Sequence, residues 1–161
     1  MKRSIATATV FAALIAAPVM AQDAAAPATN MAAQTELVGN MGKIEANIAE
    51  AHSRLFTHML LAADDDARED YAQRYAEDVA SVDEYLALVQ ASDVPEGALT
   101  QIEGFATEWT GVKEMGTALT ANSRDDLASV EDIKAYSDAV LGLDDYIDEA
   151  LEAAGLPDDD D

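Results

Sequence analysis

The sequence predicts an all-α fold, an antiparallel up-down-up-down four-helix bundle. Apolar residues recur at alternating spacings of three and four along four runs, which is typical of helices that pack along a seam. These runs cover residues 37–62, 72–89, 98–119 and 133–150. No stretch alternates between apolar and polar residues as a half-buried strand would. The breaks between runs are short, and short loops make neighbouring helices antiparallel.

The breaks carry residues that start and stop helices. In "DDDARED", Asp66 is followed three residues later by Glu69, the spacing of a capping box at a helix N-terminus. Pro95 in "SDVPEG" fits the first turn of the third helix, and Ser123 in "NSRDD" is the predicted N-cap of the fourth. Gly155 is expected to end that helix, because glycine readily adopts the left-handed conformation found there.

Residues 1–21 have the pattern of a secretory signal peptide. Lys2 and Arg3 precede an apolar run that closes on small residues ending at Ala21. That run is shorter than the roughly 20 residues that span a bilayer. We therefore expect cleavage after Ala21 and a periplasmic or secreted protein without membrane insertion after cleavage; an uncleaved N-terminal anchor is the alternative.

Three segments follow the predicted cleavage point. Residues 22–34 are small and contain proline, and we interpret them as a flexible spacer. The four-helix bundle is predicted over residues 35–155. Residues 156–161 end in a run of aspartates and are predicted to form an acidic disordered tail, because nothing apolar is present to fold them.

Composition limits the classes of function. The chain has no cysteine, which excludes disulfides, thiolate metal sites and covalent haem attachment. Its net charge of −23 repels phosphate backbones, so we expect no nucleic-acid partner. A surface this acidic favours solubility, weak cation binding or a basic protein partner.

The sequence lacks the motifs of the metal, haem and catalytic sites that four-helix bundles often contain. Di-metal sites of the ferritin type need Glu-x-x-His, but Ala49 and Leu55 stand three residues before His52 and His58. The two histidines are six residues apart and lie on different faces of the first helix, which disfavours a zinc site between them. Haem held by Met and His from distant helices would need a histidine outside the first helix. Neither Gly-x-Ser-x-Gly nor a glycine-rich phosphate loop occurs. We expect no enzymatic activity, no metal and no cofactor.

Folding the runs into hairpins predicts one cluster of scarce cationic and aromatic side chains in the half of the bundle nearest the Asp64–Asp65 turn. Antiparallel pairing about that turn puts Arg54 level with Tyr75. A carboxylate or other small anion would find its most favourable potential there. The predicted ligand-binding residues are Arg54, His58, Tyr71, Tyr75, Trp109, Lys113 and Tyr136, with His58 level with Tyr71 and Tyr136 facing Trp109.

Members of this cluster also have ordinary structural interpretations. Trp109 falls on a core seam, and Arg54 can pair with Glu50 four residues earlier. Lys113 can lie over Trp109 as a cation–π pair. His58 stands near a helix end, where a partly buried imidazole is common.

Two stretches resemble a known family, the periplasmic four-helix-bundle ligand-binding domain of methyl-accepting chemotaxis receptors. They are the hairpin "IAEAHSRLFTHMLLAADDDAREDYAQRYAEDVASVDEYLALV" and the third helix "IEGFATEWTGVKEMGTAL". The resemblance covers about residues 35–153. It implies a sensor domain for signal transduction, and homodimerisation as an option, since such domains often dimerise. The receptors continue into a second membrane helix and a cytoplasmic module, neither of which follows here, so a free-standing domain is implied.

Together these observations predict an exported, non-enzymatic, sensor-like bundle. We expect it to bind a small-molecule ligand, with a small anion as the candidate for the cationic cluster, or a signalling protein in the periplasm. The alternative is a structural or protein-interaction bundle whose acidic surface docks a basic periplasmic partner.

Overall fold

The computed structural model describes residues 25–61, 64–121 and 128–156, with side chains from residue 31 onward. These residues form four α-helices and no strand, which confirms the predicted all-α four-helix bundle. The helices are α1 (Ala25–Leu60), α2 (Asp65–Gln90), α3 (Glu96–Ala121) and α4 (Val130–Ala153).

Contacts between helices show that chain neighbours run in opposite directions. Lys43 of α1 lies over the ring of Tyr85 on α2, whereas His58, near the other end of α1, contacts Arg68 near the start of α2. The closest packing is within two hairpins, α1 with α2 and α3 with α4. The α1 and α4 helices pack less closely than the helices within each hairpin.

The predicted seams form the core. Each helix buries residues at the spacings of three and four that the sequence shows, among them Leu55 on α1 and Ile102 on α3, both fully buried. The buried seam of α2 differs from the predicted one at a single position. Asp78 is buried at a position where the sequence pattern favoured Val79, and Val79 packs partly buried beside it.

The N-terminal part of α1 extends further than the sequence suggested. The helix begins at Ala25, so residues 25–34 are helical where a flexible spacer was predicted. Alanine has the highest helix propensity, and Pro27 falls in the first turn, where backbone amides have no intrahelical partner. The Gln34 side-chain amide also donates to the Ala154 carbonyl at 3.0 Å, which ties α1 to the end of α4.

Parts of the predicted domain scheme lie beyond the described structure. The predicted signal peptide, residues 1–21, is outside the described residues, as are residues 157–161 of the predicted tail. Among the residues that are described, no helix is long and apolar enough to cross a membrane.

The N-cap of α2 is Asp64 rather than the predicted Asp66. The Asp64 carboxylate accepts a hydrogen bond from the Ala67 amide at 3.1 Å, and its backbone is extended, as N-cap residues require. The prediction was wrong by two residues because several aspartates in a row can each serve as a cap. Asp65 and Asp66 instead occupy the first turn, where negative charge suits the helix dipole.

At α4 the N-cap is Ser129, whose hydroxyl accepts from the Asp132 amide at 3.0 Å. The predicted cap Ser123 lies outside the described residues. The far end of α4 agrees with prediction: Gly155 has a φ of 76° and follows the last helical turn. The Leu156 amide reaches back to the Leu151 carbonyl at 3.0 Å, the bond pattern that glycine allows at a helix end.

Gly116 allows two aromatic rings into the centre of the bundle. It lies on α3, and a Cβ atom added there would stand 1.8 Å from the Tyr75 hydroxyl of α2 and 3.2 Å from Cε2 of Tyr136 on α4. Both tyrosines are almost fully buried. Three helices therefore meet at a point where only the absence of a side chain leaves room.

We predict that Gly116→Ala lowers the free energy of unfolding by about 1–3 kcal/mol, because the new methyl group must displace a buried ring. Urea denaturation measures this change. Gly142→Ala is the matched control, since no neighbouring atom lies within 4 Å of a Cβ added at this helical position. That variant should gain about 0.5–1 kcal/mol from helix propensity. Equal behaviour of the two variants would contradict the packing described here.

Candidate functional site

The predicted ligand-binding residues do not form one cluster. They make separate sets of contacts, two of them between α1 and α2, and the cationic members Arg54 and Lys113 are paired with carboxylates.

Arg54 lies between two carboxylates at the interface of α1 and α2. Its Nε is 3.1 Å from Asp78 Oδ2, and one terminal nitrogen is 2.6 Å from Glu50 Oε2. Asp78 is only 5 % exposed, and Oδ2 has no hydrogen-bond partner among the described residues, so its contact with Arg54 is ionic. Burial raises the pKa of Asp78, Arg54 opposes that rise, and Glu50 and Glu77 add to it. The charge of Arg54 is thus already balanced within the fold.

Trp109 and Lys113 share a single carboxylate at the interface of α2 and α3. The Trp109 indole Nε1 donates to Asp83 Oδ1 at 2.8 Å, and Lys113 Nζ lies 2.7 and 3.0 Å from the two Asp83 oxygens. Lys113 also lies 6.0 Å above the Trp109 ring, as the structural interpretation expected. Asp83 was missed from the sequence, because nothing distinguishes it from the other acidic residues on the outer faces.

His58 joins the ends of α1 and α2. Its Nδ1 donates to the Arg68 carbonyl at 2.8 Å, and its Nε2 lies 3.5 Å from the Arg68 guanidinium. The ring is therefore level with Arg68 rather than with Tyr71 as predicted. Tyr71 stands instead beside Arg74, with its ring 5.7 Å from the guanidinium carbon. His58 is 4 % exposed and serves as a buried link between helices.

Tyr75 and Tyr136 belong to the central core. Tyr136 packs against Gly116 and Tyr75, about two turns along α3 from the Trp109 that it was predicted to face. Burial raises the pKa of Tyr75 to about 12, and it raises that of Tyr136 further. The Tyr75 hydroxyl has no hydrogen-bond partner within the part of the chain that the structure describes. These phenols lie too deep to meet a ligand from solvent.

An open cavity of about 300 Å³ lies between α1 and α4, and we name it the α1–α4 groove. Its two walls belong to different hairpins. None of the seven predicted ligand-binding residues lines it. Its lining residues are Glu45, Ile48, Ala49 and His52 of α1 and Val140, Leu141, Leu143, Asp144 and Ile147 of α4.

His52 is the polar residue set deepest in the wall of the groove. Its Nε2 lies 3.4 Å from the Ser137 hydroxyl, its ring meets Phe56 edge-on at 4.7 Å, and Tyr136 stands behind it at 5.8 Å. Burial lowers the pKa of His52. The imidazole is therefore uncharged at neutral pH, and the groove offers apolar walls, a neutral ring and two carboxylates.

Other cavities are present among the described residues. One of about 280 Å³ lies between α3 and α4 and is lined by Met115, Ala118, Leu119, Asp132 and Ala135. Another follows the outer face of α3 beside Lys113, whose charge is already paired. Among the described residues no group of three or more histidine or acidic side chains is arranged to hold a metal ion.

No protein-family model, no curated protein and no solved structure matches this chain. The resemblance to the ligand-binding domains of chemotaxis receptors therefore stays a prediction from the helix pattern.

We predict that Asp83→Ala lowers the free energy of unfolding by about 1–3 kcal/mol, because it leaves the buried indole N–H of Trp109 without an acceptor. Asp83→Asn should lose less, since its amide oxygen can still accept. The chain has one tryptophan, so fluorescence-detected urea denaturation reports on this site directly. Asp138→Ala, which removes an exposed ion pair with Lys134, is the control and should change stability by less than about 1 kcal/mol. A loss no larger than that of the control would argue against the Trp109 hydrogen bond.

The raised pKa of Asp78 predicts a specific pH dependence. Because its folded-state pKa lies above the unfolded value, the folded state binds this proton more tightly. The contribution of Asp78 to stability therefore rises as pH falls through its folded pKa, and the gain is complete below the unfolded value of about 4. The free energy of unfolding of the wild type minus that of Asp78→Asn should rise as pH falls from 7 to 4. A fall in this signed difference would show that Arg54 outweighs burial.

Proposed function

We propose that this protein is a non-enzymatic binding protein that takes a small ligand into the α1–α4 groove. The observation that carries the proposal is the groove itself, an open cavity of about 300 Å³ between two helices, at the lower end of the range used by small-molecule sites. Its walls are mainly aliphatic with a few polar groups, the usual composition of such sites. An exported sensor-like role, expected from residues 1–21 and from the helix pattern, is part of this proposal.

The geometry favours the groove over the seven residues that the sequence singled out. Arg54 and Lys113 could attract an anion only by giving up their carboxylate partners, Asp78 and Asp83. Breaking the Arg54–Asp78 pair is costly, because Asp78 is buried and would keep an uncompensated charge. Asp83 is partly exposed, so the cost of releasing Lys113 is smaller. The groove needs no such rearrangement.

Binding without catalysis fits the groove's residues. His52 and Ser137 resemble a nucleophile with a base, but their contact of 3.4 Å is long, and no carboxylate among the described residues orients the second ring nitrogen. Both residues lie within helices, where backbone amides are bonded along the helix and cannot form an oxyanion hole.

A thermal-shift screen of the purified chain tests the proposal. Amines, amino acids, organic acids and divalent metals are compared at fixed ionic strength. A ligand that binds the native state at 100 times its dissociation constant adds about 2.7 kcal/mol to stability. We expect one chemical class to raise the melting temperature, and Ala49→Phe, which fills the groove, to abolish that shift.

Ala80→Phe is the matched control for this screen, since Ala80 is exposed on α2 and does not line the groove. It should keep the shift. A flat screen, or a shift that survives Ala49→Phe, would overturn the proposal and favour docking of a basic partner on the acidic surface.

A further inference from the structure

We infer that the α1–α4 groove selects an organic cation with an apolar body, such as a primary alkylammonium. This inference rests on the proposed function and names the class of ligand. It follows from three features of the groove: the sign of its charged residues, the apolar surface between them, and the direction in which nearby basic residues point.

Both charged residues that line the groove are acidic, and they come from opposite walls. Glu45 belongs to α1 and Asp144 to α4. Asp144 is exposed, and among the described residues no basic side chain forms an ion pair with it. The net charge of −23 adds a long-range field that raises the local concentration of cations. A cationic group placed between the two walls therefore meets a favourable potential.

The surface between these carboxylates is aliphatic. Its solvent-accessible part comes from Ala49, Val140 and Leu141, the last 70 % exposed, over a floor of Ile48, Leu143 and Ile147 that is already almost fully buried. An inorganic cation would leave the accessible apolar surface hydrated, whereas an alkyl chain would cover it and remove it from water. This surface thus favours an organic cation over a metal ion.

Basic residues near the groove are directed elsewhere. On α1, Lys43 lies over Tyr85 and Arg54 contacts Asp78, and both partners belong to α2, away from α4. On α4, Lys134 pairs with Asp138 on its own helix. His52 remains in the wall, but burial lowers its pKa, so its imidazole carries no opposing charge at neutral pH. Lys43, Arg54 and Lys134 therefore make their described contacts away from Asp144, the carboxylate on the α4 wall.

Titration calorimetry with matched six-carbon compounds tests the inference. Hexylammonium, 1-hexanol and hexanoate share one apolar chain and differ in charge, and methylammonium supplies the charge without the chain. At pH 7 and fixed ionic strength we expect hexylammonium to bind at least about tenfold tighter than 1-hexanol, and hexanoate to bind weakest. Added salt should weaken hexylammonium binding, because Glu45 and Asp144 are exposed and salt screens exposed charges.

Variants locate the binding. Asp144→Asn should weaken hexylammonium binding about fivefold and leave 1-hexanol unaffected. Asp145→Asn is the matched control, because Asp145 is an exposed neighbour that does not line the groove, and it should leave the affinity within about twofold of the wild type. Ala49→Phe should abolish binding of both compounds.

The outcomes separate this inference from the proposed function. Equal affinity for 1-hexanol, or tighter binding of hexanoate, would overturn the cation inference and leave the groove as a ligand site. Hexylammonium binding that survives Ala49→Phe, or methylammonium binding of equal strength, would show diffuse attraction to the acidic surface and would also overturn the inference. If none of the compounds binds, the inference fails, and the screen of other classes decides the proposed function.

Discussion

The structure depends on the burial of one apolar seam from each of four helices. The chain has no cysteine, and its net charge of −23 opposes any compact state through self-repulsion. Hydrophobic burial must therefore supply most of the stability. The seams provide it along the length of the bundle, from Leu37 near the end where α1 meets Ala154 to Leu55 near the Asp64–Asp65 turn. Where they meet at the centre, Gly116 makes room for Tyr75 and Tyr136.

The scarce basic residues serve this architecture. Arg54 balances the buried carboxylate of Asp78, and Lys113 shares Asp83 with the indole of Trp109. At each of these two helix interfaces a carboxylate pairs with a cation, and Asp83 also accepts a hydrogen bond from the Trp109 indole. Such arrangements add hydrogen bonds and ionic contacts across helices, and they favour one pairing of helices over others, because a shifted register would leave buried polar groups unpaired.

The same arrangement shapes the site proposed for binding. Lys43 and Arg54 of α1 contact residues of α2, and the α1 residues that line the groove are neutral or acidic: Glu45, Ile48, Ala49 and His52. Between these two helices lies a groove whose floor is aliphatic and whose rim holds Glu45 and Asp144. The chemistry of the groove is thus a consequence of how the rest of the bundle uses its charges.

By itself, the sequence determined the helices, the seam residues and the antiparallel order, because a period of three and four residues and short loops permit few other arrangements. It also placed Trp109 on a core seam and His58 near a helix end as a buried imidazole, and both side chains are buried. Only the tertiary structure decided which of the 32 acidic residues pair with Arg54 and Lys113, since many carboxylates lie at similar heights and sequence spacing does not rank them. It also decided that residues 25–34 join α1, through the Gln34 contact with Ala154. The α1–α4 groove could not be predicted either, because a gap between helices depends on the combined volumes of side chains from several helices, which no single helix pattern contains.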